Sequence, residues 1–93
     1  MEALPSNLLL SRRAQRDLDR CADAEAIRLL EDMGRIAGRR FPGEIKPIAT
    51  LPGRPLQADA GRFRILFRWN GVNVEVIAVF PKSSQRKVFK GLK

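Results

Sequence analysis

Apolar and polar positions alternate most regularly between Arg62 and Phe80, on either side of an Asn70-Gly71 dipeptide. A period of two marks a half-buried strand, and Asn-Gly tolerates the positive φ angles of a type I′ turn, so the segment reads as a two-residue hairpin. With Trp69 set opposite Val72, Phe67 faces Val74, Ile65 faces Val76 and Phe63 faces Ala78, which gathers eight apolar side chains on one face. The other face presents Arg62, Arg64, Leu66 and Arg68 against Val79, Ile77, Glu75 and Asn73. A one-residue slip would bury three arginines.

Upstream, Asn7 to Leu10 is a short apolar run ending at Ser11, a favoured N-cap, after which Ala14, Leu18 and Cys21 recur at spacings of four and three. This predicts a strand feeding a short helix. Asp23 is a second N-cap candidate, followed at helical period by Ile27, Leu30, Met33 or Gly34, and Ala37, until Gly38 stops the run. The apolar sheet face is expected to pack on this helical hairpin through Leu18, Ile27 and Leu30. Between Arg39 and Gly61, the residues Pro42, Gly43, Pro47, Pro52, Gly53 and Pro55 exclude a further helix and leave at most one edge strand, around Leu56 to Ala58. The expected architecture is a single α+β domain over residues 1–93: an N-terminal strand, a helical hairpin, then an antiparallel β-meander packed on the helices.

Ninety-three residues suit one domain with a modest core, and 44% hydrophobic with 30% charged residues is the composition of a folded protein. One cysteine, Cys21, rules out an internal disulfide. The absence of histidine removes the usual zinc sites and Ser-His-Asp chemistry, and no metal or cofactor is expected. No charged leader precedes a long apolar stretch, and no run approaches the ~20 apolar residues of a membrane span, so the expected location is the cytoplasm.

Charge sharpens the picture. Eighteen Lys and Arg against ten Asp and Glu give +8. Residues 62 to 93 hold Arg62, Arg64, Arg68, Lys82, Arg86, Lys87, Lys90 and Lys93 against Glu75 alone. Concentration on one hairpin and tail points to a polyanion, and no amphipathic anchor helix accompanies it to suggest a membrane surface. Arginines on alternate strand positions project about 7 Å apart, near the spacing of successive phosphates. They read either as a phosphate ladder or as a solvated face on which Glu75 pairs diagonally with Arg64 or Arg68. Pro81 ends the second hairpin strand, and Phe89 then lies among the tail's cations, placed either to stack on a base or to anchor the tail to the core.

The order of strand, helical hairpin, Pro/Gly-rich connection, Gly-Arg-Phe-Arg-Ile-Leu-Phe-Arg (Gly61 to Arg68), Val-Glu-Val-Ile-Ala-Val (Val74 to Val79) and basic tail resembles the RelE/ParE toxins from about Asn7 to Phe89. Ser11 to Leu18 also resembles the family's first helix. The resemblance implies the toxin of a type II toxin-antitoxin pair, with a cognate antitoxin as partner in a possible hetero-oligomer. RelE- and HigB-like members cut mRNA on the ribosome, whereas ParE-like members inhibit DNA gyrase. A tail reading Val-Phe-Pro-Lys-Ser-Ser-Gln-Arg-Lys is closer to the mRNA-cleaving branch. A nucleic-acid-binding module without catalysis is the remaining alternative.

By position in the motif, Arg64 matches the strand arginine that contacts the scissile phosphate, Lys82 or Arg86 the following basic residue, and Phe89 the place of a functional tyrosine. Arg62 is expected beside Arg64, with Arg54, Arg68, Lys87 and Lys90 as further nucleic-acid contacts. Such a site needs no metal, because the RNA 2′-OH attacks the adjacent phosphorus and preorganised cations stabilise the charge that develops. The chain departs from the family in its proton-transfer groups. It has no tyrosine, it has Pro55 and Gln57 where paired lysines are expected, and arginine is a poor base, which leaves Lys82 or Lys87 with a lowered pKa as candidates.

Overall fold

The computed structural model describes residues 4–93. Strand β1 (Leu8–Leu10) leads into helices α1 (Arg12–Asp19) and α2 (Asp23–Ala37). Strands β2 (Ile45–Pro47), β3 (Leu56–Ala60), β4 (Phe63–Asn70) and β5 (Asn73–Pro81) follow, then a 3-10 turn (Lys82–Ser84) and helix α3 (Gln85–Leu92). The five strands form one mixed sheet in the order β1-β5-β4-β3-β2, in which only β1 and β5 run parallel. No helix among the described residues is long and apolar enough to cross a membrane.

Local chemistry explains the helix ends. The Ser11 hydroxyl caps α1 by accepting from the Ala14 N–H at 3.0 Å. Asp23, expected to cap α2, is instead its first residue: Ala22 occupies the cap without a side-chain bond, and Asp23 and Glu25 place negative charge at the positive end of the helix dipole. The other end closes in a Schellman arrangement, Arg39 N–H to Ile36 O and Arg40 N–H to Arg35 O. Its left-handed residue is Arg39 (φ 57°) rather than a glycine, and the guanidinium is held 4.0 Å from the centre of the Trp69 ring. Of the three core contacts expected from the helices, Leu18 is buried, Leu30 is partly buried, and Ile27 is 42% exposed. The buried residues of α2 are Leu29, Met33, Ile36 and Ala37: Met33 and Ala37 are buried as expected, while Leu29 takes the place of Ile27 and Ile36 joins the stripe.

The connection holds two strands where at most one was expected. Pro47 is tolerated in β2 because β2 is the sheet edge, and β3 extends to Ala60 as an interior strand.

The β4–β5 hairpin exists, but its register differs from the one expected. Asn70 pairs with Asn73, Trp69 with Val74 and Phe67 with Val76, so the two turn residues are Gly71 and Val72. Positive φ falls on Gly71 (63°) alone, the pattern of a type II′ turn with glycine first, in place of a type I′ Asn-Gly turn. Between Leu66 and Phe67 the register then slips, so that Leu66 pairs with Ala78 and Ile65 with Val79. One extra residue in β5 inverts the alternation beyond it. Val79 therefore joins the helix-side core of Phe63, Ile65, Phe67, Val74 and Val76, while Ala78 and Phe80 turn to the other face. Val79 and Ala78 had been assigned to the opposite faces.

Side chains of α1 hold this bulge. The Ser11 hydroxyl donates to the Ile77 carbonyl at 2.8 Å, and the Val79 N–H donates to the Asp17 carboxylate at 2.9 Å. These groups lie just past the end of the β1–β5 ladder, so α1 continues the pairing that the short β1 abandons.

On the far face Ala78, Phe80, Leu66, Leu51 and Val88 form a second, smaller core, flanked by Ile48, Ile77, Phe89 and Leu92. That face was expected to stand exposed, with Phe89 either free to stack on a base or anchoring the tail; the tail is a helix seated on it. Gln57 is 1% exposed on this face, and its side-chain amide finds no hydrogen-bond partner among the described residues.

Two stability changes are expected. Asp17→Ala leaves the Val79 N–H buried and unpaired, which should lower the unfolding free energy by about 1–3 kcal/mol in chemical denaturation, with Asp17→Asn recovering part of the loss. Gln57→Met, which removes an unpaired buried amide at nearly constant volume, should raise it by roughly 1 kcal/mol.

Candidate nucleic-acid interface

The chain's charge becomes a site through two turns and one helix. Ala60 pairs with Phe63 and Asp59 with Arg64, so Gly61 (φ 63°) and Arg62 form the tight β3–β4 turn. Arg64 is thereby a strand residue on the far face, and Asp59 is its cross-strand neighbour. The Asp59 carboxylate accepts from Arg64 Nε at 3.1 Å, and the Gln85 side-chain oxygen accepts from Arg64 Nη1. Held from two sides and 21% exposed, the guanidinium has one orientation rather than many.

Gln85 opens α3. Val88, Phe89 and Leu92 turn one side of that helix onto the second core, with the Phe89 ring edge-on to Phe80 at 5.9 Å. Arg86, Lys90 and Lys93, at spacings of four and three, are left on one exposed stripe. This stripe, Lys82 and Arg64 surround an open cleft of about 610 Å³, completed by Ser83, Gln85 and Phe89. Among the described residues, five cations line it and no acidic side chain does. Arg64 is already paired with Asp59, whereas Lys82, Arg86, Lys90 and Lys93 have no carboxylate partner among the described residues, and like charges gathered in this way repel one another.

Of the residues expected to act together, Arg64, Lys82, Arg86, Phe89 and Lys90 meet here. Phe89 combines both of its expected placements, since it anchors α3 and also lines the cleft. Four others lie elsewhere.

Arg62 was expected beside Arg64 on the face away from the helices. As a turn residue it leaves the strand alternation and bends back to Glu25 of α2, with Nη2 at 2.5 Å and Nε at 3.0 Å from one carboxylate oxygen. That hydrogen bond is the main reason the Glu25 carboxyl sits below the usual carboxylate range. Arg68 keeps to the far face but pairs with Glu75 at 3.6 Å, one of the two pairings foreseen for that glutamate, and borders a separate apolar groove near Leu9 and Leu92. Arg54 lies at positive φ (48°) in the loop before β3 and does not line the cleft. Lys87 is on the opposite side of α3.

Lys87 and Arg62 meet in a second cleft of about 500 Å³, at the junction of α1, α2, the end of β5 and α3. Arg13, Arg20, Asp17 and Glu25 share its rim, over a floor that includes Phe63, Val79 and Phe80. Cys21 also lines it; burial, with the charges of Glu25 and Asp17, pushes its thiol above the usual range.

Asp59, Gln85 and Lys93 were missed. Asp59 and Arg64 are five residues apart across a two-residue turn, a relation readable once Gly61-Arg62 is taken as a glycine-first turn. Gln85 carried no comparable local signal, because its position depends on where α3 docks.

No family model and no curated relative matches the chain. Two solved structures share its fold. One is the toxin-antitoxin complex RelBE2 from Mycobacterium tuberculosis, matched at a TM-score of 0.70 with 20% identity, over 85% of this chain and 100% of that one. The other is the RelB-RelE antitoxin-toxin complex from Methanococcus jannaschii, at 0.65 with 19% identity, over 87% and 98%. At these identities the shared property is the fold.

Helix docking and cleft should be separable from the rest of the fold. Val88→Asp, which places a charge under α3, is expected to strip hydrogen-exchange protection from the α3 amides while those of Phe67 and Val76 stay protected; equal loss at all of these positions would show that α3 and the sheet unfold as one unit.

Proposed function

We propose that this chain is the toxin of a type II toxin-antitoxin pair and acts as an endoribonuclease on mRNA at the ribosome. The observation that carries the reading is the carboxylate-free cleft in which one oriented strand arginine, Arg64, meets the cations Lys82, Arg86, Lys90 and Lys93. The likeness of fold to chains of two toxin-antitoxin complexes supports it. So does the excess of positive charge, which suits both RNA and an acidic antitoxin.

In this reading the 2′ oxygen of the nucleotide before the cut attacks the adjacent phosphorus. The O2′–P bond forms, the P–O5′ bond breaks, and the products are a 2′,3′-cyclic phosphate and a free 5′-OH. Arg64 and Arg86 hold the non-bridging oxygens, whose charge grows in the transition state, and Lys82 gives a proton to the departing O5′. The 2′ proton leaves to solvent water, since arginine cannot take it and no acidic side chain among the described residues lines the cleft. Lys87 leaves the list of proton-transfer candidates because it faces the second cleft. Lys90 and Lys93 bind flanking phosphates, and the exposed part of Phe89 contacts a base.

Induction of the protein in bacteria, followed by mapping of mRNA ends, tests the reading. Cuts within translated mRNA and growth arrest are expected. Arg64→Ala should slow cleavage about 10²–10³-fold, the usual cost of one preorganised donor at a developing oxyanion. Intact mRNA with gyrase-linked DNA damage would assign the chain to the gyrase-inhibiting branch instead.

A further inference from the structure

The second cleft has no role in the reading above. It holds four cations, Arg13, Arg20, Arg62 and Lys87, and two carboxylates, Asp17 and Glu25. Both carboxylates are already engaged. Glu25 accepts two hydrogen bonds from Arg62. Asp17 accepts from the Val79 N–H and lies 3.7 Å from Arg13 Nε, an atom that is buried without a hydrogen-bond partner. Arg20 and Lys87 are exposed and have no carboxylate partner among the described residues. The rim thus carries uncommitted positive charge above an apolar floor, a combination suited to a sugar-phosphate unit, with its apolar face down and its phosphate at the edge.

The two clefts are neighbours. Lys82 and Ser83 line the first, Pro81 and Ser84 line the second, and α3 sends Arg86 and Lys90 to one side and Lys87 to the other. The Pro81–Ser84 turn, which carries no acidic residue, and the first turn of α3 lie between them.

We propose that the second cleft is a flanking phosphate subsite, which takes the backbone of the same RNA strand after it crosses the Pro81–Ser84 turn. The inference rests on the first cleft binding RNA phosphates. Arg20 and Lys87 make the added contacts and Arg13 backs them. The subsite adds affinity for longer strands and takes no part in bond breaking. Continuity with the first cleft favours an RNA strand over an acidic peptide as occupant.

The test uses the intact chain and two non-cleavable 2′-O-methyl RNA probes, a dinucleotide and a strand of about ten nucleotides, within the usual span of single-strand-binding grooves. Binding is followed by fluorescence anisotropy across a salt series. Arg20→Ala/Lys87→Ala should weaken the long probe roughly ten- to twenty-five-fold near 0.1 M salt and flatten its log–log salt slope by about 1.4, since each single-strand phosphate contact contributes about 0.7. Dinucleotide binding should not change, and Arg20→Lys/Lys87→Arg should restore the long probe. Both side chains are exposed, and the melting curve checks that the variant folds.

An unchanged long-probe affinity would overturn the subsite while leaving the first cleft intact, provided that Arg64→Ala/Arg86→Ala weakens both probes. If that second variant weakens neither, the first cleft fails and the subsite falls with it. Equal weakening of both probes by Arg20→Ala/Lys87→Ala would also overturn the proposal. So would selective loss of oligoglutamate binding with RNA binding intact, which would mark a protein contact.

Discussion

A single extra residue in β5 governs the rest of the molecule. Strand side chains alternate with a period of two, so a regular β5 would send Ala78 and Phe80 to the helices along with Val74 and Val76. The slip opposite Leu66 and Phe67 reverses the alternation, and the apolar residues beyond it divide between the two faces of the sheet. Val79 completes the main core. Ala78 and Phe80 provide the ground on which Val88, Phe89 and Leu92 seat α3. The bulge is held by Ser11 and Asp17, so α1 helps to decide where the C-terminal helix lies, although the two are far apart in sequence.

Charge placement follows from that seating. An amphipathic helix with its apolar side on the sheet must turn its cations outward, and the stripe of Arg86, Lys90 and Lys93 falls on the side of Arg64. The Gln85 oxygen joins helix to strand directly at the guanidinium. Desolvation of Arg64 is offset by two hydrogen bonds, which orient it without placing a carboxylate in the cleft lining. Around it, Lys82, Arg86, Lys90 and Lys93 add positive charge that has no carboxylate partner among the described residues.

Much of this was legible in the residues. Ser11 as a cap, the two helices, the hairpin and the apolar face of β4 all follow from local rules whose physics operates within a few positions. The far-face position of Arg64 follows from strand alternation, and the motif order named Lys82, Arg86, Phe89 and Lys90 as its companions, but their meeting depends on where α3 docks. Failures occurred where the deciding partner is remote. Nothing near Ile77 announces a bulge, since its supports are side chains of α1. Arg62 reads as a strand residue until Gly61 is recognised as the first position of a turn, after which its bend toward Glu25 is natural. Ile27 and Leu29 start equally plausible helical stripes, and only packing on the sheet selects Leu29. The tail's helical state depends on the second core, which the expected register had dissolved by sending Ala78 to the other face.

The proposed function requires Arg64 and Arg86 to act on one anion. Arginine Nε–Hε resonances, followed by NMR while a non-cleavable RNA strand is added, report this directly. The Arg64 and Arg86 signals are expected to move together and saturate at the same concentration, while Arg35, paired with Asp32, and Arg39, stacked on Trp69, stay in place. Shifts spread evenly over all the arginines, or an unmoved Arg64, would contradict the proposed function.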